Sequence, residues 1–170
     1  PLYTSCSRGH KEISILLMQH PRTDLNFSKK DGSSPLYVAS QNNNFEIVKA
    51  LLDTLNQPEF EMKRQRLNIN IPIHDKSTPL IIAAQLGWLS IVKILVEYGA
   101  DLNLRMSGGY SAFYVASSFG QTDVVNFFIS LNTEENRVKI DAKADDGTTA
   151  LDAAKFNNHS KVVEILTNIS

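Results

Sequence analysis

Two spacings along the chain are of a kind that carries chemistry. Cys6 and His10 stand four residues apart, the separation at which side chains meet on one helix face, and a thiol beside an imidazole makes a nucleophile pair. Asp145-Asp146-Gly147 has the opening of a calcium loop, and Ser107-Gly108-Gly109 has the small residues of a phosphate-binding turn. Each has a plainer reading beside it. A helix is expected to stop at Gly9, between Cys6 and His10, and Cys6 shares its column with Ser40, Ala84 and Ser117, so it reads as a small buried packing residue. A calcium loop needs an acidic residue twelve positions from its start, where Phe156 or Asn157 falls. Ser107-Gly108-Gly109 lacks the remaining glycines and the strand-to-helix context of a phosphate loop, so it reads as a turn. His10, His20, His74 and His159 lie near turns, no two at metal-ligand spacing. No catalytic constellation is expected, and neither a cofactor nor a metal.

The elements that carry these residues repeat. Pro1-Leu2, Pro35-Leu36, Pro79-Leu80, Ala112-Phe113 and Ala150-Leu151 open five copies of one phrase, at a basic period of about 33 residues. Four residues after each opening stands a small residue, Ser5, Ala39, Ala83, Ala116 or Ala154, which lets one helix approach the next closely. Eight residues after it stands Gly9, Asn43, Gly87, Gly120 or Asn158, the two residue types that enter the left-handed region cheaply, so a first helix of about eight residues ends there. Ser34, Thr78, Ser111 and Thr149 precede four of the openings as N-caps. A second apolar pattern follows in each copy: Ile13-Leu16-Leu17, Ile47-Val48-Leu51-Leu52, Ile91-Val92-Ile94-Leu95, Val124-Val125-Phe127-Phe128 and Val162-Val163-Ile165-Leu166. Its spacing is helical. A short helix, a tight turn and a longer helix cannot bury their apolar face alone, so the pairs must stack.

Totals agree with a soluble binding array. The 17 basic and 18 acidic side chains leave a formal net charge of −1, interleaved without the basic stripe that phosphate contacts require, so no nucleic-acid partner is expected. The longest apolar stretches, such as Leu80-Ile81-Ile82-Ala83-Ala84, fall far short of the ~20 residues needed to cross a bilayer, so no membrane insertion is expected. Cys6 is the only cysteine, which excludes an intrachain disulfide and leans to an intracellular, cytoplasmic setting. Pro1 falls inside a repeat phrase, so the chain reads as an excerpt of something longer.

Taken together, Asp31-Gly32-Ser33-Ser34-Pro35-Leu36-Tyr37-Val38-Ala39 and the run from Gly87 through Gly99-Ala100-Asp101-Leu102-Asn103 resemble the ankyrin repeat. The resemblance implies an all-α solenoid of about five stacked helix-turn-helix units, approximately 1–27, 28–70, 71–104, 105–142 and 143–170, with hairpin fingers between units. It also implies a concave surface that binds a protein or peptide partner; separately, the chain is expected to be monomeric in isolation and not an enzyme. An alternative is a targeting or regulatory segment of a larger multidomain protein, an enzyme, channel or pathogen effector, whose activity lies outside this chain. Where the family carries His in its T-P-L-H phrase, this chain has Tyr3, Tyr37, Ile81, Tyr114 and Asp152. Two insertions, near 55–66 and 132–137, read as neutral surface loops, the alternative being a second contact site at Phe60, Lys63, Arg64 and Arg66.

On the family pattern, partner-binding positions are the finger tips and the exposed side of each first helix. These are Lys30, Asp31, Ser33, Gln41 and Asn42, then His74, Asp75, Ser77, Gln85 and Leu86. Arg105, Ser107, Tyr110, Ser118 and Phe119 follow, then Lys143, Asp145, Asp146, Thr148 and Phe156. Leu86, Tyr110 and Phe119 beside Arg105 have the composition of an interface centre. The other reading is that Leu86 and Phe119 pack against adjacent units.

Overall fold

A computed structural model of the chain describes residues 1–56, 66–131 and 138–169. Among the described residues ten α-helices form five pairs: α1 (Leu2–Arg8) with α2 (Lys11–Gln19), α3 (Pro35–Gln41) with α4 (Phe45–Asp53), α5 (Pro79–Leu86) with α6 (Leu89–Glu97), α7 (Ala112–Ser118) with α8 (Thr122–Ser130), and α9 (Ala150–Phe156) with α10 (Ser160–Thr167). A single turn of 3-10 helix, Thr54–Asn56, extends α4. No strand occurs among the described residues; one isolated antiparallel bridge joins Arg105 and Ser111.

Each boundary has a local cause. Ser34, Thr78, Ser111 and Thr149 sit in extended backbone, and each side-chain oxygen accepts from the backbone N–H three residues on, in Tyr37, Ile81, Tyr114 and Asp152. Those bonds satisfy N–H groups that a helix start leaves orphaned. At the other end Gly9, Asn43, Gly87, Gly120 and Asn158 all have positive φ, turning the chain by a left-handed residue into the second helix.

Successive first helices lie against one another from α1 to α9, and successive second helices from α2 to α10. The small column makes the first-helix row possible: Ala39, Ala83, Ala116 and Ala154 are fully buried and Ser5 nearly so. Ile47, Val48, Leu51, Leu52, Ile91, Val92, Leu95, Val124, Val125, Phe128 and Val162 fill the layer between the rows. Burial of each large aliphatic side chain contributes roughly 1.5–3 kcal/mol. The first pair departs from the expected pattern. Ile13 and Leu16 are exposed, and it is Ser14 and Met18 that turn inward, because they hold the register that Val48 and Leu52 hold in the next pair.

Of the expected insertions, only Leu55, Asn56 and Arg66 are described; Phe60, Lys63, Arg64 and 132–137 lie outside the described residues. No described helix is long and apolar enough to cross a membrane.

Candidate partner-binding surface

The fingers are built from the backbone outward. In each, an N–H bonds back across the tip, Lys29 to the Ser33 carbonyl, Ile73 to Ser77, Met106 to Tyr110 and Ala144 to Thr148. Successive fingers are then tied together: the His74, Ser107 and Asp145 N–H groups donate to the carbonyls of Asp31, Asp75 and Gly108 at 3.1, 2.7 and 2.9 Å. The aspartates brace the tips from within. Asp31, Asp75 and Asp146 each accept through Oδ1 from the N–H two residues on, in Ser33, Ser77 and Thr148, the Asx turn that favours this residue at a tip. The hydroxyls of Ser33 and Thr148 first, and then these N–H bonds, hold the Asp31 and Asp146 carboxyls below the usual carboxylate range.

Several expected contact residues therefore serve the scaffold. Ser33 and Ser77 are buried. Ser77 lies against the Tyr37 hydroxyl. The Asn42 amide donates to the Ser7 carbonyl at 2.8 Å. Arg105 is spent on its own finger and the next: Nε donates to the Gly109 carbonyl of its own at 2.5 Å, and Nη2 to the Lys143 carbonyl of the next at 2.6 Å, with Asp145 Oδ1 at 3.4 Å. Lys30, Gln41, His74 and Ser107 are exposed along the fingers and first helices.

A different subset converges. Between α7 and α9, under the last two fingers, runs a groove of about 620 Å³. Seven of the expected contact residues line it: Gln85, Tyr110, Ser118, Phe119, Asp146, Thr148 and Phe156. Phe119 is 52 % exposed and Phe156 86 %, so neither ring is part of the buried core. Leu86, 38 % exposed, is not part of the groove's lining, although Gln85 beside it on α5 is.

Six residues outside that expected set complete the walls: Met106, Tyr114, Val115, Asp152, Ala153 and Asn157. Tyr114 stands where the family has histidine. Its ring packs on Tyr110, centroids 4.7 Å apart, and its hydroxyl bonds to Thr148 Oγ1 of the next finger at 2.8 Å. Asp152 forms a capping box, its Oδ2 accepting from Thr149 N at 3.0 Å and from Thr149 Oγ1 at 2.6 Å, which lowers its carboxyl below the ordinary range. The signal for both was their departure from the family histidine column. Tyr110 is shifted the other way: the Asp146 carboxylate, first among its causes, raises the phenol above its ordinary value.

Cys6 holds no reactive pair. It is fully buried, and its neighbour is the Ser14 hydroxyl at 3.8 Å, whereas His10 lies exposed at the start of α2. Burial pushes the thiol up to about 11. No group of three or more histidine, cysteine or acidic residues is placed to hold a metal ion among the described residues.

Residues 1–65 and 54–139 each match the family described as ankyrin repeats (3 copies). The chain belongs to the ankyrin-repeat family. No individual curated protein matches it. Ankyrin repeats are generally protein–protein interaction modules on a non-catalytic fold, and in this ankyrin array the groove lies where first helices and fingers meet. In that column Tyr114 bonds forward to Thr148 of the next unit, and the Tyr37 hydroxyl lies against Ser77 of its next unit. Tyr3 instead lies under the Lys29 ammonium, 4.0 Å from its ring centroid. Ile81 makes no such bond and is buried to 1 %.

Proposed function

We propose that the chain is a non-catalytic binding module that grips a protein or peptide along its fingers and the exposed side of its first helices, with the α7–α9 groove as the centre of contact. One observation carries this reading: two phenylalanines, Phe119 and Phe156, stand exposed on neighbouring units in a groove that the chain's own core leaves unfilled. Large aromatics in such a place are the residues that dominate interface energetics. Rigidity supports it too. The walls belong to capped helices and hydrogen-bonded fingers, so a partner meets a preformed surface with little ordering cost.

Affinity capture with the parent chain, alongside a Phe119→Ala/Phe156→Ala variant, tests the reading. A protein eluted from the parent and absent from the variant is expected, with both chains melting at similar temperatures because neither ring is part of the core. A partner held equally well by the variant would move the contact site elsewhere on the array.

A further inference from the structure

Taking this face as the protein-binding surface argued above, we propose that the groove receives a lysine or arginine side chain of an extended peptide. Its charged head is set beside Asp146 and Asp152, and its methylene stem lies along Tyr110, Phe119 and Phe156. Charge is the first ground. The whole chain is nearly balanced, 17 basic against 18 acidic residues, yet the groove is lined by two carboxylates and by no lysine, arginine or histidine. Three basic residues lie nearby, none of them in the lining. Arg105 is committed to the Gly109 and Lys143 carbonyls and Asp145. Lys143 and Lys155, near enough to Asp152 to help hold its carboxyl low, are not among the lining residues.

Preorganisation is the second ground. Asp146 Oδ1 takes both donors of Thr148, the N–H at 2.9 Å and the hydroxyl at 2.6 Å; Asp152 Oδ2 takes both donors of Thr149. Each carboxylate is thereby fixed in place and kept ionised, with its second oxygen outside those bonds. A cation arriving there forms charge-assisted hydrogen bonds without first ordering its acceptors. The aromatic walls supply the third. Ring faces attract a cation electrostatically, and the stems of lysine and arginine cover apolar surface well. At about 620 Å³ the space falls within the ~300–1,000 Å³ typical of ligand sites, enough for the basic side chain and an apolar neighbour. Phosphate-bearing partners meet the wrong sign of charge.

A display library of random peptides selected on the full chain tests this. Selected peptides are expected to carry lysine or arginine next to a large apolar residue. Replacing that lysine with acetyl-lysine, which keeps the stem and removes the charge, is expected to weaken binding about tenfold. In an Asp146→Asn/Asp152→Asn variant, whose amide oxygens still serve the turn and the cap, that discrimination should disappear. Should the variant lose stability, the parent alone decides: binding of the lysine peptide weakens with added salt while that of its acetylated form does not. Peptides that need Phe119 and Phe156 but bind equally well when acetylated would overturn the basic-residue inference and leave the protein-binding reading standing. A selection in which no peptide depends on Phe119 or Phe156 would overturn both.

Discussion

Single side chains in this array do two jobs, and the ones that look most reactive are the least so. Cys6 has no solvent exposure, and burial lifts its thiol from 9.0 to about 11. A thiol-specific reagent at pH 8 is therefore expected to label the native chain far more slowly than the unfolded one; labelling at the rate of a free thiol would mean that α1 opens readily. The sign of the pH effect follows. Because the folded value lies above the unfolded one, the neutral thiol's contribution to stability is complete below about pH 9 and is lost as the pH rises through about 11. The difference in melting temperature between the parent and Cys6→Ala should accordingly shrink across that window. Tyr114 is the opposite case, a scaffold residue with a face in the groove. Tyr114→Phe removes only the bond to Thr148 and is expected to cost about 0.5–1.5 kcal/mol, read by urea unfolding, while leaving the ring to line the groove.

Elements are held in register by bonds that cross from one unit to the next. Asn26 Oδ1 accepts from Asn68 N, Asn70 Oδ1 from Asp101 N, and Asn103 Oδ1 from Lys139 N, at 2.7, 3.0 and 2.9 Å. A parallel set closes the first helices: the side chains of Asn44, Trp88 and Gln121 donate to the carbonyls of Cys6, Gln41 and Gln85, groups near a helix end that would otherwise lack a partner. The caps and left-handed turns were legible because each is decided within a few residues by a type that suits the backbone. These cross-unit bonds were not, since asparagine, glutamine or tryptophan near a turn fits many local roles and the partners lie 31 to 47 residues away. Arg105 is the same lesson at the finger tips, where exposure in sequence register concealed a commitment to the next finger.

The fingers also expose one local conflict. Lys76 occupies, at φ 66°, the tip position that Gly32 and Gly147 hold at 86° and 85°. A side chain in that region costs about 1 kcal/mol, so Lys76→Gly is expected to stabilise the array by roughly that amount. Gly32→Ala is expected to cost more than Gly147→Ala, because a Cβ on Gly32 would meet the Ile73 backbone at 2.8 Å whereas one on Gly147 meets nothing within 4 Å. Chemical denaturation of the three variants orders them; equal losses at the two glycines would mean that the finger-to-finger spacing relaxes freely.

At the scale of the whole molecule, stability and binding are joined by the stack. Each helix pair packs on its neighbours in the row, so the free energy is close to a sum of pair terms and interface terms, and units open separately. The groove inherits this. Its walls come from α7, α9, the two last fingers and Gln85 of α5, and α9 is supported from behind by α10, whose Val162 and Leu166 are buried. Leu166→Ala is expected to cost about 2–5 kcal/mol, concentrated where α10 meets α8 and α9. Hydrogen exchange should then show amides of α9 and α10 losing protection while α3 to α6 keep theirs. Affinity for a groove ligand should fall in proportion to the fraction of chains with the last pair open, although Leu166 is not among the groove's lining residues. Loss of protection spread evenly over all ten helices would show instead that the array opens as one unit, and the groove would then survive or fail with the entire stack.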